Sequence, residues 1–96
     1  MNLEKSKKRI AKKVKMGFQG YPEISILYFG STSDVAEQVT VSFVAEEGAA
    51  PMEEQFKSES DAREDQIIQS AIVKMIERSG IKTVKQADDV KIVREV

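Results

Sequence analysis

The sequence contains no cysteine and no histidine. Without cysteine it can form no disulfide bond, thiol nucleophile or Cys/His zinc site. Without histidine it has no imidazole for acid–base catalysis near neutral pH. The remaining candidate groups are hydroxyls, lysines and carboxylates, and no spacing among them assigns a catalytic role. We therefore expect no catalytic residue, no metal site and no cofactor, and we predict that the protein is not an enzyme.

The sequence also lacks a long hydrophobic run. Its longest apolar stretch, ISILYFG at residues 24–30, has the length of a strand, whereas a membrane span needs about 18 apolar residues. The charged N-terminal residues are not followed by a hydrophobic segment, so they do not resemble a secretory signal. Together with the absence of cysteine, these features favour a soluble, cytoplasmic protein.

Charge is distributed unevenly along the 96 residues. Hydrophobic residues make up 41% and charged residues 32%, a balance typical of a globular protein. The formal net charge is only −1, yet residues 1–22 contain seven Lys or Arg and one Glu. The rest of the chain is therefore acidic. We expect a single small domain over residues 1–96, with a basic N-terminal segment on an acidic body.

The basic segment predicts an amphipathic helix over about residues 3–16. At about 100° per residue, Leu3, Ile10, Ala11 and Val14 share one arc, and Lys7 lies within it. Six cations on the other side are candidates for contact with a nucleic acid: Lys5, Lys8, Arg9, Lys12, Lys13 and Lys15.

Four interpretations of this helix remain open from the sequence. The cations could neutralise phosphates of a nucleic acid, although no aromatic residue is interleaved among them. The helix could contact a membrane, but it lacks Trp and its apolar arc is thin. The cluster also resembles a nuclear-import signal. The simplest interpretation is a helix that docks on its own domain and exposes its lysines to water.

Three strands are predicted in the first part of the chain. Residues 23–29 carry apolar side chains on both faces, which indicates an inner strand. Residues 38–45 alternate between apolar and polar side chains, as in a half-buried antiparallel strand. Residues 52–57 form a weaker strand, in which Met52 and Phe56 face inward and the charged side chains suit a sheet edge.

The second part of the chain predicts a helix and a last strand. We expect the helix over residues 62–79, with Asp61 and Glu64 as a capping box and Gly80 as the C-terminal left-handed residue. Its apolar stripe consists of Ile67, Ile68, Ala71, Ile72, Met75 and Ile76. A strand is expected at residues 90–95, after a connector that contains Val84. This strand could return parallel to the third by a right-handed crossover.

These elements predict a two-layer α+β fold in the order α-β-β-β-α-β. The sheet of about four strands is expected to be mainly antiparallel, with the helices on one face.

Two local patterns resemble functional motifs without matching them. Residues 17–20 have the GxxG spacing of a nucleic-acid clamp, but a strand rather than a helix follows, so we interpret them as a turn. The acidic stretch at residues 53–65 lacks the glycine and the ligand spacing of a calcium loop. Its carboxylates suit the first turn of a helix.

The sequence therefore favours a non-catalytic domain for protein–protein interaction or assembly, with a homodimer as the expected form. The basis is the small core, which is marginal on its own, and the edge strands, which offer backbone groups for pairing. The alternative is a nucleic-acid-binding protein that uses the basic helix.

Overall fold

The structure, a computed structural model, describes residues 2–93, except for the side chain of Asp88. It contains two helices and four strands, with a short 3₁₀ turn at Ala62–Glu64 before the second helix. In chain order they are α1 (Leu3–Lys15), β1 (Glu23–Gly30), β2 (Gln38–Val44), β3 (Met52–Lys57), α2 (Gln66–Arg78) and β4 (Thr83–Ile92). The predicted two-layer α+β class is confirmed.

The four strands form one mixed sheet in the order β3-β2-β1-β4. β1 pairs antiparallel with β2 and parallel with β4, and β2 pairs antiparallel with β3. β1 is therefore an inner strand, as its two apolar faces predicted, and β3 is an edge strand, as its charges predicted.

The last strand differs from the prediction in its start and in its partner. It begins at Thr83, so Val84 lies within the strand rather than in a connector. It runs in the same direction as β3 but pairs with β1 at the opposite edge of the sheet. Only the first part of the strand predicted at 90–95 can be compared, because residues 94–96 lie outside the described residues.

One face of the sheet is covered by the helices and the other is open. The covered face buries Ile24, Ile26 and Tyr28 of β1 with Val39 and Val41 of β2. The helices contribute Ile10, Ile68, Ile72, Val73 and Ile76 to the same core. On the open face, alternate residues of β1 are half-buried, which gives this strand a regular two-residue pattern of burial.

The helix α2 begins later than predicted. Asp65, not Asp61, is its N-cap, because one Asp65 carboxylate oxygen accepts the N–H groups of Ile67 and Ile68. Asp61 instead caps the 3₁₀ turn and binds Arg63. Ile67 was placed in the apolar stripe, but it is 83% exposed.

The C-terminus of α2 matches the prediction. Gly80 has a φ of +59°, and the N–H of Ile81 donates to the carbonyl of Ile76 at 3.1 Å. This is the Schellman arrangement, in which a left-handed residue lets the chain turn back and satisfy a terminal carbonyl.

The helix α1 is docked on α2. Ile10 is 1% exposed, and the hydroxyl oxygens of Ser6 and Ser70 are 3.3 Å apart across the helix pair. Ala11, which was placed in the apolar arc, is exposed, whereas Ser6 is buried. Lys7 is exposed and pairs with Glu64 at 2.6 Å. Neither helix in residues 2–93 is long and apolar enough to cross a membrane.

Candidate functional site

The six cations predicted to contact a nucleic acid all lie on α1. Arg9 pairs with Glu77 of α2, with 2.7 Å between Nη1 and Oε1. Lys8 pairs with Glu4 one turn earlier, at 3.3 Å. Within residues 2–93, the other four form no ion pair: Lys5, Lys12, Lys13 and Lys15. The acidic body thus pairs with one of the six cations, Arg9, and Glu4 of the same helix pairs with another, Lys8.

A small groove runs between α1 and α2 and brings three of these cations together. It has a volume of about 320 Å³, with Met16, Val73 and Ile76 among its apolar lining residues. Arg9, Lys12 and Lys13 lie on its α1 side. Since Arg9 is paired with Glu77, the net positive charge at this groove comes from the two lysines.

An exposed aromatic residue follows the basic helix. Phe18 is 61% exposed, and its ring meets Tyr21 edge-on with 5.5 Å between ring centroids. Phe18 was not among the residues predicted to contact a ligand. The signal that could have found it is its place between two glycines, where a buried ring would have little support.

Residues 17–20 act as a connection between α1 and β1. Gly17 and Gly20 have positive φ angles of 70° and 103°. The Gln19 N–H donates to Thr83 Oγ1 at 2.8 Å, and that hydroxyl donates to the Gly20 carbonyl at 2.7 Å. These two hydrogen bonds hold the loop to β4, as expected for a structural turn rather than for a loop that clamps a nucleic-acid backbone.

The outer edge of β3 is one of two unpaired edges of the sheet within the described residues, and the other belongs to β4. Met52, Glu53, Glu54, Gln55 and Lys57 are all exposed. Met52 was predicted to face inward; it lies on the covered face, opposite Phe43, but is 64% exposed. The helices therefore do not extend over the end of this strand.

An apolar groove lies beside this edge, on the covered face. It has a volume of about 390 Å³, and its lining includes Phe43, Met52 and Met75. Phe43 and Met75 are only half-buried. Because the groove and the edge are continuous at Met52, they form one surface that offers both apolar area and backbone hydrogen-bonding groups.

A wider, more polar depression of about 1060 Å³ lies at the opposite end of the sheet edge, around Ser31 and Ser58. Two of its hydroxyl groups are already engaged: Ser31 donates to Glu37 at 2.8 Å, and Ser58 donates to Asp65 at 2.9 Å.

Tyr28 is at the centre of a buried polar network rather than in a cleft. Its hydroxyl donates to Gln86 Oε1 at 2.8 Å and accepts from Gln69 Nε2 at 3.2 Å. Gln69 also donates to the Ala62 carbonyl. Burial raises the pKa of the Tyr28 hydroxyl. No buried side-chain N or O atom among the described residues lacks a hydrogen-bond partner, so this network is explained by the fold.

The carboxylates do not assemble into a metal site within residues 2–93, where no group of three or more could hold an ion. Asp61 is instead held by Arg63, whose guanidinium donates to both of its oxygens at 3.0 and 2.7 Å. These hydrogen bonds keep the pKa of Asp61 below its ordinary value. Arg63 also donates to the Asp34 carbonyl, so the pair fastens the loop after β1 to the 3₁₀ turn.

Comparison of the chain with protein-family models, with curated proteins and with solved structures finds no match.

Proposed function

We propose that this chain is a non-catalytic assembly domain that acts in the cytoplasm by associating with a second copy of itself. The observation that carries the proposal is the surface formed by the β3 edge and the adjoining apolar groove. An unpaired strand edge beside exposed apolar side chains favours pairing with another strand. The charged residues of β3 restrict such pairing to a strand that places opposite charges across from them.

Sedimentation velocity tests this proposal directly. We expect the average mass to rise from 10.7 kDa toward twice that value as the concentration increases from about 1 μM to about 500 μM, a range suited to small interfaces. A single 10.7 kDa species at every concentration would show that the chain does not assemble with itself.

Two substitutions of Gln55 test the role of the edge. Gln55→Pro removes the backbone N–H, and proline is tolerated in a strand where that group points away from the sheet. Gln55→Ala removes the side chain but keeps the N–H, and so serves as the matched control. We expect the proline variant to be monomeric and the alanine variant to dimerise. Circular dichroism should confirm that both remain folded. A dimer that survives Gln55→Pro would locate the interface elsewhere.

A second candidate function is binding of single-stranded nucleic acid through α1. It is favoured by the free lysines of this helix and by the exposed ring of Phe18 after it, since cations and stacking aromatics together form such sites. Replacing Lys12 and Lys15 with Gln should reduce the magnitude of the slope of log K against log salt by about 0.9 for each lysine. Lys74 and Lys91, exposed on the body, provide the matched control pair. Equal slopes for both double variants would exclude α1 as the contact.

A further inference from the structure

The hydrogen bonds of β3 to β2 determine which of its backbone groups point outward. The N–H of Ser58 donates to the Glu37 carbonyl at 2.8 Å, which makes this pair a hydrogen-bonded pair of the antiparallel ladder. In such a ladder, hydrogen-bonded and non-hydrogen-bonded pairs alternate. The backbone groups of Met52, Glu54 and Phe56 therefore point toward β2. Those of Glu53, Gln55 and Lys57 point to the free edge.

A second copy that pairs with β3 through a two-fold axis has few possible registers. The axis is perpendicular to the sheet, so residues that face each other must belong to the same face. The axis therefore passes midway between two copies of the same residue. The six-residue strand leaves four central positions to consider: 53, 54, 55 and 56.

Three of these registers are unfavourable. With the axis at Glu53 or at Glu54, that carboxylate faces its own copy. With the axis at Glu54, Lys57 also faces Pro51, which has no N–H to donate. With the axis at Phe56, Glu53 faces Glu59 of the other copy, beyond the end of its strand. Like charges directly opposite each other destabilise a strand pair.

The axis at Gln55 satisfies every condition. Glu53 then faces Lys57 of the other copy, and by symmetry the same pair forms a second time. All three outward residues form hydrogen-bonded pairs, and no like charges are opposed on this strand. The pairing also extends the sheet with the helices of both copies on the same face.

We propose that β3 pairs antiparallel with β3 of a second copy, with Gln55 on the two-fold axis and Glu53 opposite Lys57. This register rests on the proposed function, because it specifies how the self-association occurs. It also explains why an edge strand with an exposed methionine carries charges of both signs.

A mixing experiment tests the register. Glu53→Lys leaves lysine at both charged positions of the pair, and Lys57→Glu leaves glutamate at both. Each variant alone should dimerise roughly 10-fold more weakly than the wild-type chain, because it opposes like charges twice. An equimolar mixture should recover dimers of wild-type affinity, since every lysine then faces a glutamate.

The matched control is Glu54→Lys, which makes the same charge change one residue away on the other face. Alone it should dimerise as tightly as the wild-type chain, because Glu53 still faces Lys57. Mixed with Lys57→Glu it should form its own homodimer and little heterodimer, because in the heterodimer its Glu53 would face a glutamate. If the wild-type chain dimerises but the variants Glu53→Lys and Lys57→Glu associate as it does, the register is wrong and the assembly uses another pairing. The same conclusion follows if Glu54→Lys forms a heterodimer with Lys57→Glu as readily as Glu53→Lys does. A wild-type chain that stays monomeric would overturn both proposals.

Discussion

Two isoleucines on α2 allow a direct test of how this helix is oriented in the fold. Ile72 is 0% exposed and packs in the core, whereas Ile67, on the same helix, is 83% exposed. Both can be replaced by alanine with the same loss of atoms. We expect Ile72→Ala to be strongly destabilising and Ile67→Ala to have almost no effect.

The magnitude follows from burial. Three carbon atoms are lost at Ile72, worth about 0.8 kcal/mol each on transfer, and the cavity adds to this, so about 3 kcal/mol of unfolding free energy should be lost. For a domain of this size, 1 kcal/mol corresponds to about 4–8 °C, which gives a decrease of roughly 12–24 °C in Tm. At Ile67 the change should be within about 0.5 kcal/mol and can be stabilising, because alanine has the higher helix propensity.

Thermal and urea unfolding followed by far-UV circular dichroism measures both variants. All samples should have the same low protein concentration, because self-association raises the apparent stability by mass action. Equal losses for the two variants, or a larger loss at Ile67, would show that α2 presents a different face to the sheet and that the assignment of the core is wrong.

Three further predictions follow from buried positions. Ile10→Asp places an unpaired carboxylate between the helices and should undock α1, seen as faster amide exchange over residues 3–15, whereas Ala11→Asp, at an exposed site, should not. Gly30→Ala places a Cβ 2.1 Å from the Val35 carbonyl oxygen, so urea unfolding should show a loss of about 1–3 kcal/mol; an unchanged midpoint would contradict the close approach. Because burial raises the pKa of Tyr28, folding favours the neutral form of its hydroxyl. The resulting contribution to the free energy of unfolding is fully present below about pH 10 and is lost as the pH rises further. Tyr28→Phe should remove the part of the alkaline decline in unfolding free energy that is due to this group.

The sequence predicted those elements whose pattern is local. β1 has apolar residues on both faces, and it is an inner strand with partners on both sides. Gly80 was expected to end α2, and its positive φ confirms the role. In these cases the information lies within a few neighbouring residues, which is the range over which periodicity and capping operate.

The errors arose where distant residues decide the structure. β4 contains Lys85, Gln86 and Asp89, so its composition resembles a loop, and it becomes a strand because β1 supplies a partner along its length. The start of α2 was misplaced because both Asp61 and Asp65 suit an N-cap. Asp61 binds Arg63 and caps the 3₁₀ turn, and Asp65 caps the helix.

The candidate surfaces were predictable to different degrees. The basic face of α1 and the edge position of β3 follow from composition. The pairing of Arg9 with Glu77 joins residues 68 positions apart, and no local pattern indicates it. The apolar groove beside Met52 was also missed, because its existence depends on how far α2 extends over the sheet.

The pairing of β1 with β4 has a consequence for the order in which the chain folds. β1, β2 and β3 are consecutive antiparallel neighbours, so their contacts require only short loops to close. The other edge of β1 can be paired only by β4, which follows α2 in the sequence. Since contacts between distant segments carry a larger loop-closure cost and slow folding, we expect the three-strand meander to form first. β4 then pairs with β1 in the final step, after α2 has packed on the covered face.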